Sequence, residues 1–416
     1  MADVQPLKTL RYDLDVAGAL EDLIAPPYDV IDDEGRAELA ARSPYNVVEL
    51  DLPRSYDAAA QTLDEWRQNG VLVQEDEPAI WALRQDYTAP DGGTRSRTGV
   101  FARVRVEDYG AGRIRPHERT HPGPKQDRLR LTRATRANLS PIFSLFPDPG
   151  GAATESLAHA MGGEPFAVAS DGEGTRNTLW RVADPEQIAA LQAALADAEL
   201  LIADGHHRYE TARAYADELG GEGDHRYVLM FLVALDDPGL LVFPTHRLLT
   251  DLKDSDKQEM LRDVVLRDFE VQKLDSSTQL EPPAEGDGVA FGYMDAHFKQ
   301  PYRLALKDQR IADDALAGMP EPYRRLDTAV LEVLVLRGAL GMSEDDISHL
   351  RGLDYSKNLD DAIERVESGA ADAGFFMRAT PVEQVREVAE AGESMPPKST
   401  YFFPKVPTGL VFNPLA

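Results

Sequence analysis

Residues 199–221 read ELLIADGHHRYETARAYADELGG. An apolar run of strand length ends at Asp204-Gly205, and a helical pattern follows, closed by Gly220-Gly221. A strand that turns directly into a helix is a unit of α/β architecture, and no other stretch constrains the fold as much. Gly205 permits a tight turn and a close backbone approach. The helix begins near His206, where orphan N–H groups and the dipole favour an anion. Arg208 adds a forked donor suited to phosphate. Asp204 stands at the strand end, placed to hold a magnesium ion or a hydroxyl. His206 and His207 cannot both point inward on one helix face, and the sequence leaves open which does. An ordinary Asp-capped turn with an exposed His pair would give the same letters.

The rest of the chain alternates strands and helices. AIWALRQDY (79–87) and RTGVFARVRV (97–106) flank PDGG and predict a hairpin. Residues 57–70 predict a helix ending at Gly70. PFAVAS, DGEG and TLWRVA form a second strand–turn–strand, after which Asp184 caps an Ala-rich helix with Pro185 in its first turn. YVLMFLVAL (227–235) predicts a buried strand and is far shorter than the ~20 residues a bilayer span needs. Residues 326–340 predict a helix, 281–288 a loop, and Thr380, Pro381 and Glu383 a capping box. The stretch 395–410 is Pro-broken and extended. The expected architecture is mixed α/β: a larger unit over 1–250 and a smaller α+β unit over 251–416 that shares a cleft with it.

Charge narrows the functions. The 416 residues hold 72 Asp+Glu against 44 Lys+Arg, a net charge of −28. Such a surface repels phosphate backbones and acidic lipids, which argues against nucleic-acid and membrane partners. There is no cysteine, which removes disulfides, thiolate nucleophiles and Cys-type zinc sites. The opening MADVQPLKTLRYDLD has no apolar signal region, so a cytoplasmic protein is expected.

Residues 116–122, PHERTHP, spell the zinc-protease string H-E-x-x-H at His117, Glu118 and His121. That chemistry needs one helix face, and Pro116, Pro122 and Pro124 deny it, so a loop is expected. Around it Arg119, Lys125, Arg128 and further arginines make the most basic part of the chain, with few acids nearby in sequence. Focused charge of this kind implies a small anionic ligand. PPKST (396–400) lacks the glycines of a P-loop, but Lys398, Ser399 and Thr400 are candidate phosphate contacts. In PTHRLL, His246 and Arg247 are candidates for substrate binding, with a surface His-Arg pair the plain alternative. Tyr28 and Asp29 of PPYDV are candidates to line a substrate site, with a rigid turn and a packed ring as the plain alternative.

Several elements together resemble the domain-of-unknown-function 1015 family, related to the ParB/sulfiredoxin superfamily and its free-serine kinases. They are PPYDVI (26–31), SPYNVVELDLP (43–53), HERT (117–120), QDRLRLTRATRANLSPIF (126–143), ADGHHRYETA (203–212), PTHRLL (244–249) and MPPKSTYFFPKVPTGL (395–410). The resemblance implies a ParB/sulfiredoxin-like first unit and phosphoryl chemistry. Asp204, Gly205, His206, His207 and Arg208 match the turn that holds donor phosphates and metal in the serine kinases. Glu118 becomes the candidate base by its place in HERT, with Asp204 and His207 beside it as catalytic candidates. Gly205, His206, Arg208, Arg119, Thr120, Lys125, Arg128, Lys398, Ser399 and Thr400 are assigned to phosphate, and Tyr28, Asp29, His117, His246 and Arg247 to substrate. The implied activity is a phosphotransferase for a small hydroxylated metabolite, free L-serine foremost. ATP, ADP or pyrophosphate would be the donor, with magnesium on Asp204. A nucleotide-binding regulator or slow nucleotide hydrolase is the alternative, and a homodimer is an admissible assembly. Sulfiredoxin activity is excluded, because it needs a cysteine in this turn.

Overall fold

The computed structural model describes residues 2–415 except Asp91, Gly112, 119–121, Glu285 and Asp287, and describes only the backbone of 122–124. It is a mixed α/β protein that divides into two compact units. The division follows contacts rather than chain order. The first unit holds the chain up to Pro116, the chain from the helix at 122 to Leu241, and Pro404 onward. The second holds His117 and Glu118 together with Val242–Phe403.

The first unit is built on a mixed sheet. Its strands run in the order Ile114–Pro116, Leu200–Asp204, Ile142–Phe146, Tyr227–Ala234, Thr94–Arg105, Ile80–Thr88, Arg176–Val182 and Ala167–Ser170. The expected hairpin is there, with Thr88 opposite Thr94. The apolar run at 227 becomes a central strand because both its neighbours and both its faces are covered, as a continuous rather than alternating pattern requires. Phe231 is fully buried, and each side chain of that size stabilises the fold by about 2 kcal/mol. Gly99 in the adjoining strand has no room for more: a Cβ there would lie 2.5 Å from the Phe231 ring. Asp184 caps Pro185–Leu195 as the sequence predicts. The chain end returns to this unit, with Asn413 paired to Asn138 and Thr408 to Ala25.

The second unit has an antiparallel sheet in the order Phe269–Lys273, Tyr302–Leu306, Ala290–Asp295, Ala373–Phe376, His246–Leu249 and Leu353–Ser356. The helix expected over 326–340 runs over 327–339, and Leu331–Ala339 is wound as a π-helix. The capping box expected at Thr380 does not form. Val382–Glu390 starts after Pro381 with no side-chain cap, and Thr380 Oγ1 instead donates to the Ser399 carbonyl at 3.4 Å. No helix among the described residues is long and apolar enough to cross a membrane.

The prolines at 122 and 124 do not keep their stretch out of a helix. Pro122–Thr135 is helical, and both stand in its first turn, where a missing N–H costs no hydrogen bond. His117 and Glu118 lie outside it, and Glu118 forms an isolated parallel bridge with Met395. The H-E-x-x-H geometry is therefore absent from its first two positions. His121, Arg119 and Thr120 lie outside the described residues.

Candidate functional site

In the first unit, Leu200–Asp204 ends with Asp204 opposite Phe143, after a register irregularity at Ile202. Gly205 follows at φ 97° and ψ 26° as N-cap of His206–Leu219, a helix of 14 residues with no side-chain cap. Glycine is needed twice here. The backbone is left-handed, and a Cβ would stand 3.0 Å from Arg208 Cζ. Arg208 folds back over the turn. Its Nη2 donates to Asp204 Oδ1 at 3.1 Å and its Nη1 to the Pro141 carbonyl. Lys405 Nζ donates to Asp204 Oδ2 at 2.8 Å. Burial by itself raises the Asp204 carboxyl, but Lys405 and Arg208 outweigh it and hold the group well below the usual carboxylate range. The three side chains together carry one positive charge at the positive end of a helix. His206 is buried and adds to the same field at Asp204, whereas His207 is half-buried.

Lys405 reaches Asp204 because the core holds its backbone. Arg97 is fully buried, with its guanidinium 4.6 Å from the Phe143 ring centre. Its Nη2 donates to the Pro404 carbonyl at 2.6 Å and to Gln85 Oε1. Gln85 Nε2 in turn donates to the Lys405 carbonyl at 3.1 Å. Burial pulls the Arg97 guanidinium down to about 9. Arg97 and Gln85 face each other across the expected hairpin, but nothing in its letters points to Lys405, whose one signal is that it falls inside a family-like string.

A second arginine joins this neighbourhood. Arg128, on Pro122–Thr135, lies 4.1 Å from the centre of the Tyr28 ring and donates to the Asp51 carbonyl at 2.8 Å and to Asp51 Oδ1 at 3.1 Å. Asp51 Oδ2 accepts from Ser140, whose hydroxyl is 2.8 Å from that of Thr408. Arg128, Arg208, Ser140, Asp51 and Thr211 line one cavity of about 40 Å³. Burial pushes the Tyr28 phenol up to about 12, with Arg208 and Arg128 working against it. Tyr28, Arg128, Asp204, Gly205, His206 and Arg208 thus gather at one place, while Asp29 beside Tyr28 is exposed.

The wider basic stretch does not remain a focus of positive charge. Acids distant in sequence meet it: Arg115 pairs with Glu199 at 2.6 Å, Lys125 with Glu210 at 3.2 Å and Arg133 with Glu218 at 2.7 Å. Lys125 is therefore committed to an ion pair in this structure. Nor does Asp204 fit as a magnesium ligand. Magnesium takes carboxylate oxygens together with phosphate oxygens and water, and both Asp204 oxygens already face cations. Among the described residues no group of three or more His, Asp or Glu could hold a metal ion.

In the second unit the strings HERT and PPKST meet. Glu118 Oε1 accepts the Lys398 N–H, His117 Nε2 lies 2.8 Å from Thr400 Oγ1, and the Met395 N–H donates to the His117 carbonyl at 2.7 Å. Lys398 adopts a left-handed backbone, at φ 57°. Ser399 is buried, and its hydroxyl donates to the Pro396 carbonyl at 2.6 Å and lies 3.1 Å from the Thr328 hydroxyl, so it turns inward rather than toward a ligand. Arg247 is buried. It donates to the Thr245 carbonyl and, at 3.2 Å, to the Lys398 carbonyl, with Tyr355 stacked on it. His246 is fully buried with Nδ1 accepting the Met377 N–H at 3.1 Å, which places it in the core rather than on a ligand. Burial, aided by Arg247, pulls it down to about 4.

A mixed α/β protein with a cationic, glycine-capped helix start is the class that fold and site define. The chain belongs to the family described as "Protein of unknown function (DUF1015)", whose model matches residues 4–329. A search of the curated proteins finds no match. Among solved structures, the chain is similar to a conserved hypothetical protein from Pyrococcus furiosus, with 16% identity, a TM-score of 0.38 and coverage of 75% of this chain and 95% of that one. It is similar to a free serine kinase in complex with AMP at 17% identity and TM-score 0.37, over 75% of this chain and 92% of that one. It is also similar to C-terminally truncated SbnI from Staphylococcus aureus, at 11% identity and TM-score 0.38, over 74% and 85%.

Proposed function

We propose that the first unit binds the phosphates of a nucleotide or of pyrophosphate, and that the protein transfers a phosphoryl group to a small hydroxylated metabolite, free L-serine foremost. The observation that carries this reading is the Asp204–Gly205–Arg208 turn with Lys405 on it. Two cations face one carboxylate at the positive end of a long helix, with left-handed glycine giving a close backbone approach. The resemblance of residues 204–208 to the donor-phosphate turn of free-serine kinases supports the same assignment. Arg208 and Lys405 hold phosphate oxygens, while Arg128, paired with Asp51 at 3.1 Å and Asp127 at 2.6 Å, lines the neighbouring cavity without surplus charge. Phosphoryl transfer asks chiefly for positioning and charge stabilisation, which such a site supplies.

Glu118 is the proposed general base. Its carboxylate takes the proton of the acceptor hydroxyl as that oxygen bonds to the donor's terminal phosphorus, and the bond from phosphorus to the leaving phosphate oxygen breaks. A carboxylate held by the Lys398 N–H has the fixed orientation a base needs. A second reading, a nucleotide-binding regulator without an acceptor, is favoured by the Asp204 ion pairs, which occupy the carboxylate. The test is a matrix of L-serine and other hydroxylated metabolites against ATP, ADP and pyrophosphate in magnesium buffer, read by phosphate mass gain. A phosphorylated acceptor whose formation falls about 100-fold or more in Glu118→Gln supports the kinase reading. Full turnover in that variant removes Glu118 as base, and nucleotide binding with no acceptor modified selects the regulator.

A further inference from the structure

Three polar side chains stand in one row inside the first unit's sheet. Asn177, Gln85 and Arg97 lie on adjacent strands, with Gln85 directly opposite both of the others. None is more than 1% exposed. Gln85 Nε2 donates to Asn177 Oδ1 at 2.9 Å, and Asn177 Nδ2 donates to the Thr175 carbonyl at 3.2 Å. At the other end the Arg97 guanidinium lies against the Phe143 and Phe231 rings, 4.6 and 5.8 Å from their centres. Its Nε and Nη1 have no hydrogen-bond partner among the described residues. Asp237 acts on it through space, with its own oxygens held by the Thr98 and Gly239 N–H groups at 3.0 and 2.8 Å. Such a row carries a desolvation cost, and apolar residues of similar volume are often as stable or more so. Stability alone does not account for it.

What the row holds is the backbone of two consecutive residues. Arg97 Nη2 donates to the Pro404 carbonyl at 2.6 Å, and Gln85 Nε2 to the Lys405 carbonyl at 3.1 Å. The charge on Arg97 strengthens the first of these bonds. Lys405 is the residue whose Nζ meets Asp204 at 2.8 Å, and its flexible side chain has many rotamers to lose. With both carbonyls held, that side chain starts from a fixed point, and less ordering is left to be done when an anion binds. We propose that Asn177, Gln85 and Arg97 are positioning residues of the phosphate site. They act through Lys405, setting its ammonium on Asp204 before the ligand arrives. This inference rests on the reading that Arg208 and Lys405 hold phosphate.

Two measurements on the full chain test it. The first needs no ligand: acetic anhydride labels lysine amines, and peptide mass spectrometry reads each site. Gln85→Met is expected to raise labelling of Lys405 about fivefold, measured against the exposed Lys253 in the same sample. The second is a double-mutant cycle of ADP affinity, by calorimetry, over Gln85→Met, Lys405→Ala and the pair. Gln85→Met alone is expected to weaken ADP about fivefold and to add nothing once Lys405 is replaced, because positioning acts only through the lysine. A merely structural role would weaken both backgrounds alike. Losses that add, or labelling or affinity in Gln85→Met equal to wild type, overturn the inference. Should Gln85→Met not fold, Gln85→Glu carries both measurements, since its carboxylate pairs with Arg97 but offers the Lys405 carbonyl no hydrogen. Absence of ADP binding by the wild type refutes the phosphate reading and this inference with it. Binding that Lys405→Ala weakens and Gln85→Met leaves untouched refutes this inference alone.

Discussion

Lys405 and Asp204 stand 201 residues apart in sequence and 2.8 Å apart in space. Their contact makes the turn at Gly205 cationic rather than neutral, since Arg208 already occupies the other carboxylate oxygen. Lys405→Ala is expected to leave Asp204 buried with one partner and to cost about 1–3 kcal/mol of stability. Urea unfolding at neutral pH measures it. The carboxyl is held below its unfolded value, so this stabilisation is present above the ordinary carboxylate range and lost as pH falls through the depressed one. The difference between wild type and variant should therefore shrink in strong acid.

Gly205→Ala tests the turn itself. The left-handed backbone strains any L side chain, and the new Cβ would press on Arg208 at 3.0 Å. A stability loss of about 1–2 kcal/mol is expected. Nucleotide affinity should drop as well, because Arg208 has to leave its position over the turn. Calorimetric unfolding and a binding titration read the two effects separately.

His246 gives the fold a pH dependence. It is neutral in the core and pulled down to about 4, while its unfolded form titrates near 6.5. Between those values the unfolded chain binds the extra proton, so stability falls as pH drops from about 6.5 to about 4, by up to about 3 kcal/mol. His246→Asn keeps an acceptor for the Met377 N–H and removes the titration. Its unfolding free energy should lose that slope over the same window.

Local signals were legible where local physics decided the outcome. The hairpin at 80–105, the Asp184–Pro185 helix start, and the strand, glycine and helix at 200–219 follow from periodicity and capping. The turn at Gly205 was readable because the left-handed residue, the forked donor and the carboxylate lie within five positions. Its other half was not. Lys405 arrives through Gln85 and Arg97, which face each other across that hairpin, and no spacing rule connects the pair to residue 405. The basic residues that crowd together in sequence suggest surplus charge, yet Glu199, Glu210 and Glu218 meet Arg115, Lys125 and Arg133 from elsewhere in the chain. Thr380 has no cap role because Pro381 takes the N-cap position and the Ser399 carbonyl takes the threonine hydroxyl.

Calorimetric titration of ADP into wild type and Arg208→Lys tests the central claim most directly. Lysine keeps the charge but loses the fork that spans Asp204 and the Pro141 carbonyl. The wild type should bind one ADP per chain, and the variant should bind it about tenfold or more weakly while unfolding at a similar temperature. Absence of ADP binding in the wild type, or equal affinity in the two proteins, would contradict a phosphate site at this turn.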